Sequence, residues 1–393
     1  MAGPLAGLRI LDFSGSIPGP MATLYLADMG AEVLKIVSAS RYDVIMVQPP
    51  YLPGSKISAN LAYLGRNKRS MVLNLKDQRA QEIVRKLIAH YDILIEQFRP
   101  GVMAGFGLDY ETLRKANSTL IYCSITGYGQ TGPMADKAGH DLNYIARSGI
   151  MSYSGRSGAG PAPPGMFIAD AAGTANAIIG ILAAVIGRNV TGDGQYIDVS
   201  MTDGTVVHNA IYAAGCLMNG ESPDYENMPY NGGTLYDYYE TKDKKYMSVA
   251  PLEPQFYAAF YEAIGRPDLN SSAGLAPQNL GEIKKQIQDI FKTKTRDEWS
   301  AIFRTIDACV EPVLTLKEAL EDEHNQQRGM IIEIDLPQGG KVKQPALPIK
   351  FSSYQPEYKK IGVPASSHTK EILQELGYTG EQIAEMEKTG LFD

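Results

Sequence analysis

The chain has little of what would tie it to disulfide, metal or membrane chemistry. Its 393 residues hold three cysteines, Cys123, Cys216 and Cys309, odd in number and without C-x-x-C spacing, the pattern of reduced buried thiols in a cytoplasmic protein. Five histidines form no cluster, so no metal site is expected. The longest uninterrupted apolar run, Ala177–Gly187, is far short of the ~20 residues that span a bilayer, and no transmembrane helix is expected. The opening MAGPLAGLRI has no charged segment leading into an apolar one, so no signal peptide is expected either. Lys and Arg number 37 against 44 Asp and Glu, and a net charge of −7 argues against nucleic acid or an anionic membrane as a partner. No G-x-x-x-x-G-K-[ST], H-E-x-x-H or G-x-S-x-G is present, which removes the commonest NTPase, zinc-protease and serine-hydrolase arguments.

What is there is a soluble globular composition, 44% hydrophobic and 21% charged, over a length that suits two or three domains. The first half alternates short apolar strands with helices: strand Leu8–Phe13, helix Met21–Met29, strand Ala31–Ile36, strand near Met71–Leu75, helix from Asp77 to about His90, strand Ile93–Glu96, and strand Leu120–Ser124. A helix from Asp170 to about Arg188 and a strand Gln195–Met201 follow. The fold class expected from that alternation is α/β, a doubly wound, Rossmann-like parallel sheet covered on both faces. From about Glu221 the pattern changes to a hairpin, Thr234–Glu240 with Lys245–Val249, and helices Pro254–Ile264, Ile283–Phe291 and Arg296–Ile306, the makings of a smaller α+β domain. A Pro- and Gly-rich stretch, Leu336–Pro348, precedes two tail helices, Ser367–Leu376 and Gly380–Lys388. The domains expected are 1–200 with 331–393, a linker helix region 201–225, and 226–330.

The candidate chemistry is sparse. Gly15–Pro20 is a turn before a helix, where doubly wound folds bind phosphate, but it is not G-x-G-x-x-G and reads equally well as a tight turn. Arg66-Asn67-Lys68-Arg69 is the densest basic cluster; alone it reads as a solvated face. His140, in Gly139-His140-Asp141-Leu142-Asn143-Tyr144, sits after a flexible stretch where a helix would start and is the natural proton-transfer group near neutral pH. Asp170 stands where an apolar segment meets a small-residue helix. Burial would raise its pKa and a helix N-terminus lower it, and a plain N-cap is the simpler reading. Glu253 precedes Pro254 and reads first as a cap, second as a partner for a histidine.

Taken together, Gly7–Asp12, Leu26–Val33, Arg66–Ser70, Arg99-Pro100-Gly101, Thr126–Pro133, Gly194–Asp198 and Ser367-His368-Thr369 resemble the family III CoA-transferase and α-methylacyl-CoA racemase superfamily over nearly the whole chain. Gly139–Tyr144, an aspartate thirty residues after the histidine (170 − 140 = 30) and Glu253–Phe256 look like the racemase branch. The resemblance implies that His140 and Asp170 exchange one proton across the two faces of an acyl-CoA α-carbon, with Glu253 as the partner of His140. It also implies an enolate oxygen held near the helix start at Asp141 and Tyr144, and CoA phosphates bound by Lys35, Arg66, Lys68, Arg69 and Arg99. No cofactor is implied, since CoA is part of the substrate. An interlocked homodimer is implied, in which Glu253 reaches His140 within one chain or across two. Ser38 stands where racemases often show a second basic residue soon after Lys35, and the long proline-containing segment from Asp43 to Leu64 looks more like the transferase branch, which uses the aspartate at Asp170 as a nucleophile.

Overall fold

The computed structural model describes residues 3–38, 43–272 and 279–392. Six parallel strands form the main sheet: β1 (Arg9–Phe13), β2 (Glu32–Val37), β3 (Arg69–Val72), β4 (Ile93–Glu96), β5 (Ile121–Thr126) and β6 (Tyr196–Ser200). Their order is β3-β2-β1-β4-β5-β6, so the direction of winding reverses between β1 and β4. At such a reversal adjacent connections leave to opposite faces and open a crevice at the carboxyl ends of the strands.

The helices follow from their sequences. Helix α1 (Pro18–Asp28) opens on proline, whose missing N–H belongs to a position that has no helical partner. Helix α2 (Gln78–Ile88) buries Ala80, Ile83, Val84, Leu87 and Ile88, one face at helical spacing, and is capped by the Asp77 carboxylate on the Arg79 amide. That face packs with Leu11, Leu34, Met71, Leu94 and Tyr122 of the sheet, and the tail helices Thr369–Glu375 and Gly380–Lys388 add Ile372, Leu373 and Ile383 to the same core.

Two sequence expectations change. The stretch 336–348 is not irregular throughout: Ile331–Asp335 and Lys341–Pro345 pair as an antiparallel hairpin, with Gly339 and Gly340 both at positive φ in its turn. The small-residue helix extends over Ile168–Thr191, 24 residues, long and apolar enough by length and composition to cross a bilayer. Gly173, Thr174 and Asn176 interrupt its apolar runs without adding charge, so counting unbroken runs underestimates it. In the fold its Ala169, Ala172, Ala177, Ile181 and Ala184 are buried, and Gly173 and Gly180 approach side chains of β5 and β6.

Tertiary contacts divide the chain into two compact units: 1–147, 165–208 and 326–393 in the first, 148–164 and 209–325 in the second. The second unit is built on an antiparallel sheet of Asp237–Glu240, Tyr246–Val249 and Val310–Pro312, with Tyr246–Val249 central. Its core is aromatic, with Tyr239, Phe260, Phe291, Trp299 and Phe303 buried together.

Candidate functional site

In the first unit His140 stands just before helix α3 (Asp141–Arg147) and Asp170 in the first turn of α4 (Ile168–Thr191). The His140 carbonyl accepts from the Asn143 and Tyr144 amides at 2.8 and 3.2 Å, and its own N–H donates to Asn143 Oδ1 at 3.0 Å. The backbone of His140 is thereby fixed from both sides, while its side chain is exposed. Asp170 is not the N-cap; that position belongs to Phe167, which makes no side-chain capping bond. The Asp170 amide donates to Asp141 Oδ1 at 3.0 Å, so a buried carboxylate at the start of α3 ties down the start of α4. Burial, seconded by that neighbouring carboxylate, pushes Asp170 up to about 6. Desolvation thus prevails over the helix-terminus effect.

Tyr144 organises the turn. Its hydroxyl donates to the Gly139 carbonyl, and its ring meets that of Tyr128 edge-on with centroids 5.1 Å apart. A Cβ on Gly127 would lie 2.3 Å from Tyr144 Cε1, and one on Gly139 2.6 Å from it. Both positions need glycine for lack of space. Gly127-Tyr128-Gly129-Gln130-Thr131-Gly132 has the spacing G-x-G-x-x-G after a strand, a match sequence reading passed over, but no helix starts until Asp141 and the dinucleotide context is missing.

The basic residues separate into different roles. Arg66 is 1% exposed, donates to Gln344 Oε1 at 3.0 Å and the Pro345 carbonyl at 2.8 Å, and pairs with Asp28 at 2.5 Å. Burial nonetheless pushes the Asp28 carboxyl up, the mark of a pair held in place at a desolvation cost. Lys68 is buried, bonded to Thr23 Oγ1 at 2.6 Å and the Pro20 carbonyl at 2.8 Å, and lies 3.6 Å from Asp12. Lys35 bonds Asp12 at 3.0 Å and the Ser14 carbonyl. Desolvation holds Lys68 well below the usual lysine range. Arg69 pairs with Glu371 and Glu375 at 3.1 and 2.8 Å. Arg99 is exposed and has no carboxylate partner among the described residues. Of the five, four are committed within the fold and Arg99 is free to meet a ligand.

Asp12 is the residue sequence reading missed. Fully buried at the end of β1, it accepts from Ser14 N–H, Ser14 Oγ and Thr23 Oγ1 at 2.9, 2.5 and 2.6 Å and collects both lysines. A lone carboxylate ending an apolar strand was the available signal. The turn beyond it is also occupied, since the Ser16 amide donates to Asp43 Oδ2 at 2.9 Å. Thr174, one helical turn after Asp170, donates to the Pro18 carbonyl at 3.0 Å and joins α4 to that same turn.

Glu253 belongs to the second unit. It occupies the N-cap of the helix Pro254–Ala263 through its carbonyl, which accepts from the Phe256 and Tyr257 amides at 3.0 and 3.1 Å, but its exposed side chain makes no capping bond. Among the described residues, no group of three His, Cys, Asp or Glu is placed to hold a metal ion.

The profile of the CoA-transferase family III matches residues 5–369. The chain belongs to that family. This family III protein is 36% identical to the alpha-methylacyl-CoA racemase of Homo sapiens over 388 residues, 97% of this chain and 96% of that one. It is 31% identical to the succinyl-CoA:glutarate CoA-transferase of Mus musculus over 379 residues, 95% of this chain and 86% of the relative. Among solved structures, a CAIB/BAIF family protein from Brucella suis superposes with a TM-score of 0.83 at 29% identity, covering 96% of this chain and all of that one (100%). Chemically, the family III protein sets an exposed imidazole and a carboxyl group pushed up to about 6 at two adjoining helix starts.

Proposed function

We propose that this acyl-CoA enzyme of family III is a racemase or epimerase that interconverts (R)- and (S)-2-methylacyl-CoA thioesters by 1,1-proton transfer through an enolate, without a cofactor. The observation that carries the reading is the Asp141–Asp170 hydrogen bond, which joins the helix start bearing His140 to the one bearing Asp170. Inversion needs one base and one acid on opposite faces of the α-carbon. With one mobile proton, neutral His140 facing protonated Asp170 serves one enantiomer and histidinium facing carboxylate serves the other, and each turnover exchanges the two states. Burial that raises the Asp170 carboxyl to about 6 favours the state in which that carboxyl carries the proton. The developing enolate oxygen would be met by backbone N–H groups at the start of α3. Arg99 would meet the CoA phosphates, and Glu253 would orient His140 and stabilise its charged form.

The protein is proposed to work as an interlocked homodimer. Ile179, Ile186 and Val190 lie on one face of α4 and are 64, 67 and 84% exposed. In the second unit the helix Ala210–Asn219 buries no residue, with Leu217 at 89% and Met218 at 87% exposed. A second copy of the chain is the occupant these faces suit.

In deuterium oxide a single enantiomer of a 2-methylacyl-CoA should lose its α-proton to solvent and converge to an equal mixture of epimers. His140→Ala or Asp170→Ala should abolish both changes. Retention of configuration with no deuterium uptake over a range of acyl groups overturns the proposal. The identity shared with a CoA-transferase supports a second reading, in which an Asp170 carboxylate oxygen attacks the thioester carbonyl, a mixed anhydride forms and CoA leaves as thiolate. Trapping an Asp170 hydroxamate with hydroxylamine would decide for it.

A further inference from the structure

Thr174 lies one helical turn beyond Asp170 on α4, and its hydroxyl bonds outside its own helix. A helical threonine commonly returns its hydroxyl to the carbonyl four residues back, as Thr191 does to Gly187 at 3.2 Å in this helix and Thr205 to Met201 at 2.8 Å in the next. Thr174 instead donates to the Pro18 carbonyl, 156 residues away in sequence, at 3.0 Å. We infer that Thr174 is a positioning residue for Asp170, registering the start of α4 against the turn Gly15–Pro20 so that the Asp170 carboxyl is held at the reacting carbon. The inference rests on the racemase reading of Asp170.

Asp170, Thr174, Ala177 and Ile181 follow one another at helical spacing, and the last three are buried while Ala171 and Ala175 are exposed. The start of α4 is held at two points, the Asp170 amide on Asp141 Oδ1 at 3.0 Å and the Thr174 hydroxyl on the Pro18 carbonyl. One bond alone would leave the first turn free to roll about it. Two fix its height and its rotation together, and at about 1.5 Å and about 100° per residue these decide where a side chain points. The second anchor is itself braced. The Pro20 carbonyl accepts from Lys68 Nζ at 2.8 Å, the Gly19 amide donates to Gln97 Oε1 at 3.2 Å, and Lys35 bonds the Ser14 carbonyl. A Cβ on Gly19 would collide with that of Ser14, so the turn is also closed sterically. Lys68, spent inside the fold, thus supports the turn on which Thr174 closes. A displacement of about 1 Å between a base and its reacting carbon is enough to lose about 100-fold in rate.

Thr174→Val keeps the shape of the side chain and removes the donor. With a 2-methylacyl-CoA as substrate, kcat for α-proton exchange should fall about 10- to 100-fold while KM stays within about twofold of the parent. Thr174→Ser, which keeps the hydroxyl, should retain most of the parental kcat. Labelling of Asp170 by a water-soluble carbodiimide with glycine ethyl ester, read by peptide mass across pH, follows the carboxyl without turnover. Its protonation midpoint should fall by about half to one pH unit in Thr174→Val, because a loosened helix start admits water, and stay at the parental value in Thr174→Ser. Should the valine variant not fold, Thr174→Ala carries the same expectations. A Thr174→Val protein with parental kcat, a serine variant as impaired as the valine one, or a rise in KM with kcat kept, overturns the inference. If the parent exchanges no α-proton, the racemase reading falls and the labelling midpoint alone decides: moved in Thr174→Val, the positioning role stands; unmoved, it falls.

Discussion

The Asp141 carboxylate accepts the backbone N–H of Asp170 at 3.0 Å, and through that bond a buried negative charge sits beside a carboxyl group that burial has already raised. Asp141 therefore does two things to Asp170: it holds its backbone and it makes ionisation harder. Asp141→Asn keeps an acceptor oxygen and removes the charge. The acid limb of the pH–rate profile for α-proton exchange should move down by roughly half to one pH unit, with the alkaline limb less affected. Rates measured across the acid range check this, and an unmoved acid limb would count against the electrostatic role.

Asp170 should cost the protein stability at neutral pH. Its folded pKa of about 6 lies above the ordinary 3.8, so folding favours the protonated form. The penalty is absent below the unfolded value, grows as pH rises from about 4, and is complete above about 6. Asp170→Asn should raise unfolding free energy by about 1–3 kcal/mol at pH 7.5 and change it little at pH 3.5. Urea denaturation at the two pH values measures the difference.

Gly127→Ala should be harmful because of one ring. The new Cβ would lie 2.3 Å from Tyr144 Cε1, and the strand end behind it cannot withdraw, since the Gly127 carbonyl is held by the amide and hydroxyl of Thr202 at 3.0 and 2.7 Å. A loss of about 1–3 kcal/mol is expected. In a Tyr144→Ala background the same change should be almost neutral, and a double-mutant cycle by thermal unfolding reads the coupling directly.

Arg66 should prove a structural residue, not a contact for CoA. Arg66→Met strands Asp28 in the interior and should cost about 3–5 kcal/mol. The fraction that remains folded should retain its KM for acyl-CoA, whereas Arg99→Ala should raise KM with stability unchanged. Steady-state kinetics beside calorimetry separate the two outcomes.

Much of the fold was legible in the chain. The alternation of apolar strands with amphipathic helices such as Gln78–Ile88 sets the parallel sheet because each period buries one face, and Ile93–Glu96 and Gly380–Lys388 form where the spacing predicts. The hairpin at 331–345 was obscured because its exposed positions carry lysine and its turn two glycines, which read as an irregular stretch.

The sequence by itself determined the family and the parallel architecture, because motif spacing and hydrophobic period are properties of the chain alone. Only the tertiary structure decided which charges are spent internally. Arg66 meets Gln344 across 278 residues and Arg69 meets Glu375 across 306, through a tail that returns to the sheet from the far end of the chain. A basic run looks the same in sequence whether its partners are phosphates or buried carboxylates. What distinguishes the two is desolvation, which exists only once the chain has closed around the group.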